Sequence, residues 1–306
     1  MPELPDLTLY REHLERRVLG AELRAIHVRG PNLVRTFEPP LSAASGRRVE
    51  RLSRLGKRLV ISLAGELHLA LHLMIAGRLH WAEPGRAARG RAPLARFEFG
   101  SGVLTLTEAG TRQRAALHLL AGERALAALD AGGIEPLDAS LEAFAAALRS
   151  EDHTLKRALT DPRLFAGIGN AYSDEILHRA RLSPLQRTAL LDEAAIARLW
   201  EATRATLAEW TERLRAECGE GFPEGVTAFR DGFAVHGRHR RPCPDCGAPV
   251  QRIRYADRET NYCARCQTGG RLLADRALSR LLRSDWPRTL EELEEGRRPK
   301  EHPPGS

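Results

Sequence analysis

Residues 154–184 read TLKRALTDPRLFAGIGNAYSDEILHRARLSP. Leu155 to Leu159 favours a helix, and Asp161-Pro162 ends it, because a proline ring cannot continue the helical hydrogen-bond ladder. Gly167-Ile168-Gly169-Asn170 then forms a tight turn opening a second helix that carries Tyr172, Ile176 and Leu177. Glycines followed by Asn at a helix N-terminus expose backbone N–H groups, the arrangement that holds a phosphate, and Lys156 can reach the same anion. An ordinary interhelical turn capped by Asn uses the same letters, so the stretch is weighed with the rest of the chain.

The surrounding region, about 123–217, is rich in Ala, Leu, Glu and Arg and reads as mostly helical. Upstream the period changes to two: Leu59, Ile61 and Leu63 alternate, as do Leu67, Leu69, Leu71 and Leu73. That pattern, from about 22 to 107, predicts an antiparallel β-rich domain of two packed sheets. Leu7, Tyr10, Leu14 and Val18 share one face of an opening helix. Residues 83–93 form a basic Gly/Pro loop, and Gly132-Gly133 with Pro136 mark a hinge. The expected class is α+β, with an N-terminal domain 1–130, a helical domain 131–240, a Cys-rich module 241–267 and an extension 268–306. The extension begins with an amphipathic segment, 271–283, and its polar end, 294–306, is expected to be disordered.

Cys243-Pro244-Asp245-Cys246 and Cys263-Ala264-Arg265-Cys266 are C-x₂-C pairs separated by sixteen residues. Two such pairs bring four thiolates into a tetrahedron, the spacing of a zinc ribbon. All four positions are protein ligands, so the zinc is structural and folds a module too small to hold a core. Between the pairs, Gln251-Arg252-Ile253-Arg254-Tyr255 and Arg258 alternate as in a β-hairpin. A basic hairpin suggests phosphate contact, although Arg258 alone would pass for a solvated charge. Cys218 stands apart as a spare thiol.

The 306 residues carry 47 Lys plus Arg against 40 Asp plus Glu, a net charge of +7. That excess suits an anionic partner such as nucleic acid. No apolar run is long enough for a transmembrane helix, and Met1-Pro2-Glu3-Leu4-Pro5-Asp6 is not the start of a signal peptide. Paired cysteines without a disulfide pattern fit a reducing compartment, so a cytoplasmic location is expected.

Three separated segments resemble one family, the formamidopyrimidine-DNA glycosylase/endonuclease VIII family. MPELPD is similar to its N-terminus, LKRALTDPRLFAGIGNAYSDEILHRARLSP to its helix–two-turn–helix motif, and CPDC…YCARCQ to its C-terminal zinc finger. The resemblance implies an N-terminal β-sandwich with a flanking helix, a helical domain with the four-cysteine zinc finger, and one structural Zn²⁺. It implies a monomeric glycosylase and abasic-site lyase of base excision repair, acting on double-stranded DNA that contains damaged bases or abasic sites. By the same match Lys57 is a phosphate- or lesion-binding lysine, Lys156, Asn170 and Arg258 grip phosphates, and Met74 fills the void left by an extruded nucleotide.

The chemistry also follows from residue types. Removal of Met1 exposes the secondary amine of Pro2, and α-amines titrate far below lysine. Its condensation with C1′ of deoxyribose gives an iminium that is cationic without protonation, an electron sink for expelling the base and then the 3′ phosphate. Glu3 lies beside it as general acid or base. Pro and an acid also commonly start a helix, so these two residues gain weight only from the distant segments. The chain departs from the family at Thr107-Glu108-Ala109-Gly110-Thr111-Arg112-Gln113-Arg114, which lacks the aromatic wedge. Either Arg112 or Arg114 is the candidate intercalating arginine. Asp6 replaces the more usual Glu. The altered loop keeps two further readings open: a non-catalytic binder of damaged DNA, and the same chemistry on bulky adducts or crosslinks.

Overall fold

The computed structural model describes residues 1–85, 92–109, 113–227, 229–255, 258–273 and 287–295. The expectations for most of the loop at 83–93, for Gly110 to Arg112, for 274–283 and for the chain end fall largely outside these residues. By packing, the chain divides into two compact units. The first comprises Met1–Ala143, Asp161–Gly169 and Leu207–Ala228, and the second Phe144–Thr160, Asn170–Thr206 and Phe229–Ser306.

The first unit opens with helix α1 (Leu4–Val18), followed by β1 (Glu22–Val28), β2 (Arg47–Leu55), β3 (Arg58–Leu63), β4 (Leu67–His72), β5 (Gly77–Ala82), β6 (Ala95–Phe99), β7 (Gly102–Glu108) and β8 (Ala116–Ala121). The strands run in the order β5-β7-β6-β1-β2-β3-β4-β8, all neighbours antiparallel. β1 and β2 are joined only at Glu22↔Arg48 and Leu23↔Arg47, so the sheet has two four-stranded halves. Leu59, Ile61, Leu69, Leu71, Leu117 and Leu119 from one half share a core with Leu79, Phe97, Leu104 and Leu106 from the other. The two halves therefore pack face to face, the sandwich that the alternation predicts. Leu7, Tyr10, Leu14 and Val18 of α1 complete that core, each fully buried.

β3 is buried on both faces rather than one. Helix α2 (Glu123–Ala127) explains this: its Leu126 packs with Val60, Ala70 and Leu120 on the outer face. Polar side chains continue this face, with His68 Nδ1 2.9 Å from Ser62 Oγ and Arg58 opposite His72 across β3 and β4. Burial, then the charges of Arg58, Lys57 and His118, pull His72 from 6.5 down to about 4. His72 thus folds neutral, and its contribution is complete above pH 6.5 and lost as pH falls through about 4. Urea midpoints should drop by the equivalent of at most about 3 kcal/mol over that window. His72→Asn should flatten the drop; an unchanged slope in the variant would assign it elsewhere.

The second unit holds α3 (Leu141–Arg149, from Phe144 onward), α4 (Leu155–Thr160), α5 (Asn170–Arg179), the N-terminal part of α6 (Glu193–Cys218), β9 (Gln251–Tyr255), β10 (Arg258–Tyr262), α7 (Ala264–Thr268) and α8 (Leu290–Glu295). α4 stops at Thr160, before Asp161-Pro162, and α5 starts at Asn170, as the local letters require. β9 and β10 form the antiparallel hairpin, from Arg258↔Tyr255 to Tyr262↔Gln251. Among the described residues, no helix is long and apolar enough to cross a membrane.

Candidate functional site

In the first unit the site is built around the chain start. Pro2 is buried, and Glu3 and Asp6 are each only 2% exposed. Glu3 caps α1 in a reciprocal box with Asp6: Glu3 N–H donates to Asp6 Oδ2 at 2.9 Å, and the Glu3 carboxylate accepts from the Asp6 N–H. The shorter acid thus still reaches the Glu3 N–H. Glu3 Oε2 also accepts the Gly169 N–H at 2.7 Å.

That contact depends on glycine. A Cβ at Gly169 would stand 2.5 Å from Glu3 Cδ, and one at Gly167 would meet Leu4 Cβ at 2.9 Å, with φ +81° as well. Leu4 N–H donates to the Gly167 carbonyl at 3.0 Å, tying the helix start to the same loop. The Gly167–Asn170 turn was expected to offer its N–H groups to a phosphate. The Gly169 N–H instead serves Glu3, because a carboxylate satisfies the same donor from within the chain.

Burial lowers the Met1 amine from its ordinary value; Glu3 opposes this, Arg78 reinforces it, Asp6 opposes it and Lys57 reinforces it. These four side chains thus act electrostatically on the Met1 amine, one residue before Pro2. Lys57 sits in the turn between β2 and β3. Arg54 braces that turn, donating to the Gly56 carbonyl at 2.6 Å and pairing with Glu135. Arg78 of β5 donates to the Gly77 and Ile75 carbonyls at 2.7 and 3.2 Å, bracing the turn that carries Met74.

Met74 lies in that turn at φ +52°, with Ile75 57% exposed beside it. Left-handed backbone is unfavourable for methionine and is held here by the surrounding turn. The alternation of Leu67 to Leu73 would also allow Met74 as a core residue of the strand, but it lies in the turn beyond β4 and is only half-buried. Arg112 lies outside the described residues. Arg114 is exposed, and its N–H donates to both oxygens of Glu108 at 3.0 and 2.9 Å, with Ala115 N–H adding a 3.0 Å bond. Glu108, 4% exposed, anchors the end of this loop, which the letters alone do not suggest.

In the second unit, Lys156 and Asn170 come together. Lys156 Nζ donates to the Asn170 carbonyl at 2.7 Å and to Asp174 Oδ1 at 2.5 Å. Asn170 Nδ2 donates to the Glu259 carbonyl at 2.8 Å, joining α5 to β10 directly after Arg258. The Arg258 backbone opens β10; its side chain is not among those described. Glu175 accepts the N–H groups of Ala234, Val235 and His236 at 2.7, 2.9 and 2.8 Å, and burial raises its carboxyl pKa despite them.

Sγ atoms of Cys243, Cys246, Cys263 and Cys266 lie within 4.8 Å of one another. Burial pushes the Cys266 thiol up to about 11 and that of Cys263 higher still, with Cys246 and Cys243 adding to both. A dication is what lets four crowded thiols ionise together, so the donor set fits one structural zinc. His178 Nε2 stands 3.3 Å from Cys243 Sγ, an orienting neighbour that spacing rules miss. The module also has an apolar core, in which Leu272, Leu273 and Leu290 of the extension pack with Val250, Ile253 and Tyr262. Leu273 N–H donates to Tyr262 Oη at 2.7 Å. The segment after the finger is therefore part of its fold. Chelating the zinc should cost most duplex binding, because structural zinc contributes roughly 10–16 kcal/mol in finger peptides. The β-sheet circular dichroism should persist. Full binding by a metal-free chain would move the DNA site away from the hairpin.

Comparison with known proteins agrees with this architecture. Residues 1–116 match the formamidopyrimidine-DNA glycosylase N-terminal domain, 133–216 its H2TH domain, and 241–269 the zinc finger found in FPG and IleRS. The formamidopyrimidine-DNA glycosylase of Thermus thermophilus is 36% identical over 284 residues, covering 88% of this chain and 100% of that one. An uncharacterized formamidopyrimidine-DNA glycosylase-like protein of Mycobacterium tuberculosis is 41% identical over 151 residues, covering 49% of this chain and 94% of its own. Among solved structures, the Thermus thermophilus MutM (Fpg) protein matches with TM-score 0.73 at 34% identity, covering 87% of this chain and 98% of that one. Lactococcus lactis Fpg in complex with abasic-site DNA matches with TM-score 0.75 at 27% identity, covering 87% and 99%. The chain belongs to the formamidopyrimidine-DNA glycosylase family.

Proposed function

We propose that the Pro2 amine, exposed by loss of Met1, is the nucleophile of a bifunctional glycosylase and abasic-site lyase, with Glu3 as its acid–base partner. The chain is a DNA N-glycosylase of base excision repair, with the lyase activity typical of its family. The observation that carries the residue assignment is Glu3, fixed by the N–H groups of Gly169 and Asp6 beside a buried chain start on which Lys57 and Arg78 act.

In the proposed sequence the amine forms a bond to C1′ as the glycosidic bond breaks and the base leaves with a proton. Glu3 gives a proton to the ring oxygen as the sugar opens, leaving an iminium. Loss of a C2′ proton expels the 3′ phosphate, and a further elimination expels the 5′ phosphate. Lys57, whose charge acts on the chain start, is proposed to hold a phosphate or the lesion edge. Met74, on its braced turn, is proposed to fill the stack, with Arg112 or Arg114 beside it. Lys156, Asn170 and Arg258 are proposed to grip the backbone.

The partner is double-stranded DNA with oxidised or otherwise damaged bases or abasic sites, a reading supported by relatives solved with such DNA. A monomer is proposed, and the +7 charge suits nucleoid DNA in the cytoplasm. We propose functional segments 1–130, 131–240, 241–267 and 268–306. Borohydride reduction on an abasic duplex should leave a covalent adduct on the N-terminal peptide. Strand cleavage over a panel of oxidised purines, formamidopyrimidines and oxidised pyrimidines would then rank substrates. Binding without any adduct or cleavage would replace the enzyme by a damage binder.

A further inference from the structure

We infer that Asp174 is the positioning residue of the phosphate grip, with His236 as its brace. The inference rests on the reading of Lys156 and Asn170 as phosphate contacts. Asp174 is fully buried, and a carboxylate out of water persists only when its oxygens are occupied. Three segments supply the donors. Lys156 Nζ of α4 reaches Oδ1 at 2.5 Å, and His236 Nδ1 and the Asn261 N–H of β10 reach Oδ2 at 2.8 and 3.1 Å.

Two consequences follow. An ammonium has three N–H donors, and Asp174 and the Asn170 carbonyl take two of those on Lys156. The flexible lysine stem is thereby held at two points, its side chain 12% exposed, which among the described residues leaves a third donor at a fixed place. The second consequence concerns β10. Asn261, docked on Asp174, accepts the Gly237 N–H on Oδ1 at 2.8 Å and donates from Nδ2 to Glu259 Oε1 at 2.9 Å. Glu259 in turn accepts Asn170 Nδ2 on its carbonyl. One carboxylate therefore sets the register of Lys156, Asn170 and the strand that Arg258 opens. His236 is itself immobilised, stacked on Phe229 at 5.9 Å and edge-on to Phe233 at 6.0 Å.

Charge and positioning make opposite predictions for Asp174→Asn. Removing a negative charge beside a phosphate site should by itself tighten DNA binding and steepen its salt dependence. Losing the positioning should do the reverse. The measurement is fluorescence anisotropy of zinc-loaded, full-length protein on a short duplex with one reduced abasic site, over a salt series. Asp174→Asn should bind about ten-fold more weakly at about 0.15 M salt, with a slope smaller by about one. Lys156→Gln should lose the same slope, and the double variant should lose no more than either.

Zinc content and thermal melting check that the variants fold. Should Asp174→Asn not fold, His236→Leu, which removes one brace, should weaken binding, and His236→Gln, which can still donate, should restore most of it. Tighter binding with a steeper slope, additive effects of Asp174 and Lys156, or equal behaviour of the two His236 variants would each overturn the assignment. A wild-type protein whose binding ignores salt would overturn the phosphate grip itself, whatever the variants do.

Discussion

A chain whose N-terminal amine is acetylated should form no borohydride-trapped adduct and should lose at least about 10³-fold in abasic-site cleavage, since a pre-placed nucleophile is worth that much in effective molarity. Duplex affinity should hold within a few-fold, because acetylation touches none of the backbone-gripping side chains. The pH profile carries the same signature. Protonated amine is unreactive, so adduct formation should rise with pH through the amine's pKa and then level. With Met1 in place, burial lowers the Met1 amine from the ordinary value near 8, with Arg78 and Lys57 helping and Glu3 and Asp6 opposing, and the Pro2 amine one residue on is expected to meet the same surroundings. The rise should thus come below pH 8, and Arg78→Gln should move it upward. Retained trapping by the acetylated chain would transfer the nucleophile to a lysine.

Local pattern made much of this protein readable. The alternating leucines of β3 and β4 fall on the shared core because a strand has only two faces. The C-x₂-C pairs converge because thiolate spacing has few other uses. What stayed hidden was pairing over long chain distances. Nothing near Glu3 announces Gly169, 166 residues away, and nothing near Arg54 announces Glu135. Asp174 and Glu175 carry no signal in the local letters, yet both are buried because three other segments bring donors to them. Met74 was open to a core reading because left-handed backbone leaves no mark in the letters. Packing also interleaves the chain, with 161–169 and 207–228 joining the first unit, which a linear division cannot anticipate.

Gly169→Ala should separate catalysis from folding. The new Cβ would lie 2.5 Å from Glu3 Cδ and 2.6 Å from Oε1, so the carboxylate must swing away from the Gly169 N–H that now holds it. A displacement on the order of 1 Å at a reacting group costs about 10²-fold, and base excision should fall by at least that much. Stability should suffer less, by roughly 1–3 kcal/mol, because the strain falls on one side chain next to the buried start of the chain. Gly167→Ala should behave oppositely. Its φ of +81° and a 2.9 Å approach to Leu4 Cβ strain the backbone itself, so its melting temperature should fall further than that of Gly169→Ala. If Gly169→Ala keeps excision within three-fold of wild type while melting normally, Glu3 does its chemistry from some other position, and the geometry assigned to the acid is wrong. If both variants lose stability alike and activity only in proportion, the loop is a packing element and the 2.7 Å contact with Glu3 has no catalytic role.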